Sequence, residues 1–166
     1  MLTTTLKAIK AKGPCEDGWR KLLAGLNKKH SDNKILLLET ILEINGIEDA
    51  VWALRAIDEK YDNSVRLFNC FCAKYVLDIF EKKYPEDKRA RKAIETAEKF
   101  AWGEASEEEL VAAWSAAWSA ARDAAWTVAR DAAWDHFKQE FIRLCRLEGE
   151  YGEVISAKSE REGESK

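Results

Sequence analysis

Six residues at four-residue spacing could anchor another macromolecule: Trp114, Trp118, Arg122, Trp126, Arg130 and Trp134. They are the third positions of a tetrad repeat that starts at Ala112 and reads AAWS, AAWS, AARD, AAWT, VARD, AAWD. Alanine is the strongest helix former, so the repeat specifies a helix before any packing. Residues four apart are neighbours on a helix face, which makes the six a ladder. Arg122 falls between Trp118 and Trp126, and Arg130 between Trp126 and Trp134. A guanidinium over an indole is attractive by about 0.5–1 kcal/mol when exposed. Each step drifts about 40° around the helix, or about 200° over five steps, so no flat neighbour covers the ladder. Two readings stand. Other helices bury the indoles, with the alanines permitting close approach. Alternatively, part of the ladder faces outward and binds a partner, since Trp and Arg dominate binding hot spots. Five Trp within residues 102–134 are more than the core of such a bundle needs, and we assign the six as the candidate partner-binding residues. The fourth positions, Ser115, Ser119, Asp123, Thr127, Asp131 and Asp135, trace a parallel line. That line is either a solvated face or a polar strip beside the ladder.

Other chemistry is sparse. Neither GxxxxGK[ST] nor GxGxxG occurs, so no phosphate loop is expected. The two histidines, His30 and His136, are a poor supply of general base. His136 and Glu140 stand four apart and could share a metal, but a surface interaction is the better reading of an isolated pair. Cys70 and Cys72 point about 200° apart on a helix, which is wrong for one metal. With Cys15 and Cys145 they read as reduced thiols buried as small apolar residues. No catalytic residue, metal or cofactor is expected, and the chain is not expected to be an enzyme. Net charge is −3, although residues 1–34 carry eight Lys/Arg against three acids. Those basic stretches lack interleaved aromatics or a helix-turn-helix pattern, which disfavours nucleic acid as the partner. No apolar run approaches about 18 residues and no signal-peptide core is seen, so a cytoplasmic protein without a membrane span is expected.

The elements that position these residues read as helices. The 166 residues suit one domain, and 46% hydrophobic with 34% charged is a globular composition. Two prolines and eight glycines argue against a turn-rich all-β fold. The helical period predicts a helix over Thr3 to Lys12, stopped by Gly13-Pro14, then a short one carrying Trp19, Leu22, Leu23 and Leu26. A third, Lys34 to Asn45, is apolar on both faces and reads as a buried helix capped by Gly46. Glu48-Asp49 opens a fourth. Asp62, Asn63 or Ser64 caps a longer one reaching Tyr84, and Glu86 to Trp102 follows up to Gly103. Ser106 and Glu109 form a capping box, after which no breaker occurs until Gly149; a helix of that length would span about 60 Å unless kinked. The expected fold is all-α: a helical bundle or short helical-repeat array with a long Ala/Trp-rich C-terminal helix. Residues 1–149 are expected as one helical domain, with a bundle core over 1–103 and the repeat helix over 106–148. Residues 150–166 are expected as a polar, flexible tail.

Several of these stretches resemble a known family. Val65-Arg66-Leu67-Phe68 with Cys72-Ala73, Arg89-Ala90-Arg91-Lys92-Ala93-Ile94-Glu95 after Pro85, and Ala101-Trp102-Gly103-Glu104-Ala105 before an alanine repeat resemble the Imm5-like immunity proteins. Related alanine-rich proteins occur in phages and prophages. Gly18-Trp19 with Leu22-Leu23, and Ile41-Leu42 with Asn45-Gly46-Ile47-Glu48-Asp49-Ala50-Val51-Trp52-Ala53-Leu54-Arg55, resemble the N-terminal part of the phage versions. The resemblance spans about residues 15–140. It implies a non-enzymatic protein that neutralises a bacterial protein, a toxin or a defence-system component. A phage protein of this build could instead block a host defence complex, as anti-CRISPR proteins do. Two further readings come from the residues. Arg122 and Arg130 could pair with the phosphates of a sequestered nucleotide signal while an indole stacks on its base. A Trp-rich helix could also pair with itself in a homodimer.

Overall fold

A computed structural model describes residues 1–121 and 130–164, with side chains throughout except at 76, 79, 83, 116–121, 130–134 and 162–164. The fold is a helical bundle with one small two-stranded sheet. Strand β1 (Thr3–Thr5) leads into α1 (Leu6–Ala11) and α2 (Glu16–Gly25). Strand β2 (Ile35–Leu37) leads into α3 (Leu38–Asn45) and α4 (Ile47–Ala53). Two short 3₁₀ turns precede α5 (Asp62–Lys83), and α6 (Arg89–Ala101) and α7 (Glu107–Ala121) follow. Helices α8 (Arg130–Arg146) and α9 (Glu150–Glu164) complete the described chain.

The sheet corrects two of the expected helices. Three consecutive threonines are stiff at χ1 and favour extended backbone, so helix begins at Leu6 rather than Thr3. The Thr5 hydroxyl caps it by accepting the Ala8 N–H at 3.1 Å. Ile35, Leu36 and Leu37 look apolar on every face of a helix but alternate as a strand. Leu36 is 7% exposed and inward, while Ile35 at 79% and Leu37 at 37% face out. The strands pair antiparallel, with Thr3 opposite Leu37 and Thr5 opposite Ile35. Nearby backbone bonds fix the sheet in the bundle. The Leu2 N–H donates to the Cys145 carbonyl at 2.6 Å, and the Leu38 N–H donates to the Leu2 carbonyl at 3.3 Å.

One core gathers side chains from both ends of the chain. Leu2, Leu6, Leu38, Ile41, Phe68, Phe141, Leu144, Cys145, Tyr151 and Val154 are buried in a single cluster. Phe68 on α5 meets Phe141 on α8 edge to face, with centroids 5.7 Å apart. Helix α6 packs on α5 and α7 packs on α6, so these three extend outward from the core. Buried Ala93, Ala97 and Ala101 keep α6 slim. Bidentate Arg91–Glu81 contacts and a Lys74–Glu98 pair of 2.6 Å set α5 and α6 antiparallel.

The C-terminal segment is also a correction. Residues 150–164 form α9, not a loose polar tail, and α9 packs on α5. Tyr151 and Val154 are buried and Ile155 packs against the core, while the exposed polar residues form its wet face. Gly149, at φ +57°, makes the turn from α8. The Arg161 guanidinium donates to the Trp102 carbonyl at the end of α6. The expected uninterrupted repeat helix coincides with α7 and α8 where the chain is described, and its residues 122–129 lie outside the described residues. A chain ending at Gly149 is predicted to lose about 3–6 kcal/mol of unfolding free energy, the burial of Tyr151 and Val154. Urea denaturation measures it, and an unchanged midpoint would return residues 150–166 to the status of a dispensable tail.

Candidate functional site

The repeat begins on α7, whose start is fixed locally. The Ser106 hydroxyl accepts the Glu109 N–H at 3.2 Å, and the Glu109 carboxylate accepts the Ser106 N–H at 2.8 Å. With α6 on one side of it, α7 leaves an apolar strip in solvent. Val111 is 59% exposed and Trp114 is 60% exposed, three residues apart on one face. Beside them the Ser115 hydroxyl bonds back to the Val111 carbonyl at 2.9 Å. Trp114 is therefore an outward-facing residue of the ladder. Trp118 lies on the backbone of α7, and Arg130 and Trp134 on that of α8; their side chains lie outside the described set. Arg122 and Trp126 lie outside the described residues altogether. Among the fourth positions, Ser115 and Asp135 are exposed.

His136 and Glu140 do not converge. The His136 ring packs on Phe71 and Tyr75, with centroids 5.1 and 4.8 Å away. Glu140 instead turns into the protein and is 6% exposed. Its carboxylate accepts the Tyr151 hydroxyl at 2.6 Å and the Arg143 guanidinium at 2.9 and 3.0 Å. Burial, then the adjoining carboxylate, pushes the Tyr151 phenol far up. The Ser64 hydroxyl, also buried, donates to the Tyr151 carbonyl at 2.7 Å. No spacing rule reveals this network: Tyr151 lies on the helix after that of Glu140 and Arg143, and Ser64 is 87 residues from Tyr151 in sequence.

The cysteines divide. Burial pushes the Cys70 thiol up to about 11 and the Cys72 and Cys145 thiols up to about 12. Cys15 departs from the expectation of burial. It is exposed at the start of α2, where its sulfur accepts the Gly18 N–H at 3.4 Å. It borders a cleft whose lining includes Trp19, Asn45, Asp49 and Trp52. In the sequence Trp19 and Trp52 read as apolar helix positions, Asn45 as the last residue of a helix and Asp49 as the start of the next. Among the described residues no group of three or more His, Cys, Asp or Glu is placed to hold a metal, and no helix is long and apolar enough to cross a membrane.

Residues 55–136 match a family model described as "Imm-5 like putative immunity protein". The matched segment runs from just before α5 to the first turns of α8 and contains every residue of the ladder. It is narrower than the resemblance over residues 15–140, because Gly18-Trp19 and nearly all of the Ile41–Arg55 stretch precede it. No curated protein and no solved structure gives a significant match.

Two predictions follow from the buried groups. In the native protein at neutral pH, a maleimide is expected to label Cys15 rapidly and the other three thiols only after unfolding. Peptide mapping by mass spectrometry reads this, and fast labelling of Cys145 would contradict the packed α8. Tyr151→Phe removes a hydrogen bond to a buried carboxylate and is expected to cost about 1.5–3 kcal/mol in urea unfolding. A cost near zero would mean that Arg143 alone satisfies Glu140.

Proposed function

We propose that this chain is a non-enzymatic helical inhibitor that binds a bacterial protein, a toxin or a defence-system component, through the outward face of the tetrad repeat. The family match over residues 55–136 suggests an immunity-like role. The observation that carries the binding mode is Trp114, an indole 60% exposed beside the equally exposed Val111. A large aromatic left in water next to an aliphatic residue gains free energy when a partner covers both. Trp118, Arg122, Trp126, Arg130 and Trp134 continue the same spacing and extend the proposed surface along the repeat. In a phage setting the same surface would serve an inhibitor of a host defence complex.

Trp114→Ala tests this directly. As a surface change it is expected to shift stability by less than about 0.5 kcal/mol. Tagged wild-type and variant chains are exposed side by side to lysates containing candidate toxins and defence complexes. The wild type is expected to retain one stoichiometric protein, identified by mass spectrometry, and the variant to lose most of it. Recovery of the wild type alone, or equal retention by both chains, would remove the α7 surface as the interface.

A further inference from the structure

A cleft of about 90 Å³ opens between α2, α3 and α4, in a part of the chain that precedes the family match. Gly18 brings its walls together. A Cβ at that position would stand 2.7 Å from Asp49 Oδ2 and 3.0 Å from Cys15 Sγ, so a larger residue would displace the Asp49 carboxylate from its place on the wall. The Asn45 amide is held by both of its protons. Its Nδ2 donates to the Gly18 carbonyl at 2.8 Å and to Asp49 Oδ2 at 2.7 Å. That leaves Asn45 Oδ1 buried with no hydrogen-bond partner. Asp49 has no cation within ion-pair distance among the described residues: Arg20 pairs with Glu16 and Asp17, and Lys21 donates to the Asn45 carbonyl at 3.1 Å.

Among the residues that line the cleft, Asp49 alone carries a formal charge, and its carboxylate is an acceptor. The aromatic walls point to the same ligand chemistry. Trp19 and Trp52 line the cleft, and each already attracts a cation, Lys10 at 5.2 Å and Arg55 at 5.7 Å from the ring centroids. The size selects further. Sites for free small molecules run to roughly 300–1,000 Å³. This cleft has room for the end of one side chain.

We propose that the cleft is a socket for a cationic side chain, lysine or arginine, presented by a partner protein. Asp49 is the counter-ion and Trp19 and Trp52 are the walls. The socket shares no residue with the repeat surface, so neither assignment depends on the other.

The test is an NMR titration of the ¹⁵N-labelled full chain with N-acetyl-argininamide. N-acetyl-norleucinamide serves as the uncharged control. The indole N–H signals are assigned through Trp19→Phe and Trp52→Phe. The expected result is saturable movement of both signals at millimolar argininamide, with little from the norleucine compound. Asp49→Asn is expected to weaken the contact about tenfold. In the unmodified chain, raising the salt from about 20 to about 300 mM should weaken it several-fold, a readout that needs no variant. No movement at up to about 50 mM argininamide, equal movement with norleucinamide, or insensitivity to both Asp49→Asn and salt would each overturn the socket.

Discussion

The buried carboxylate of Glu140 is the constraint around which the C-terminal half is arranged. A charge removed from water is costly unless it is paired and hydrogen-bonded. Glu140 meets that demand with two donors, Arg143 from its own helix and Tyr151 from the next. The second donor brings α9 onto the bundle. Once Tyr151 is in place, its ring fills the core and its carbonyl takes the Ser64 hydroxyl of α5. Three helices are thereby tied through one side chain and its backbone. A segment whose remaining residues are largely polar becomes part of the fold.

From that centre the packing uses smaller side chains on α6 than on α5. Helix α5 contributes Leu67 and Phe68 to the core, whereas the buried positions of α6 include three alanines. Helix α7 stands on α6 and keeps Val111 and Trp114 in solvent. The alanine-rich composition of α7 secures the helix by intrinsic preference.

The sequence made the helical architecture legible wherever a local rule had one meaning. The Ser106–Glu109 capping box, the turn at Gly149 and the apolar stripe of α5 need no distant partner to be interpreted. The misread elements are those whose meaning depends on a contact far along the chain. Ile35-Leu36-Leu37 has the composition of a buried helix until Thr3–Thr5 pairs beside it. Glu150 to Glu164 looks soluble until Glu140 and Ser64 receive Tyr151. The candidate binding residues divide the same way. The repeat leaves buried and outward-facing indoles equally open and the structure exposes Trp114, while Trp19, Asn45, Asp49 and Trp52 come together from two separate stretches that no spacing rule connects.

The stitch between Leu2 and Cys145 also sets a schedule. The Leu2 N–H reaches its acceptor only after more than a hundred further residues have been made. During synthesis the first strand must wait without its final neighbours while the intervening helices form from local contacts. Closure between distant parts of the chain comes late and carries most of the loop entropy. Folding of this bundle is therefore completed only after α8 has left the ribosome.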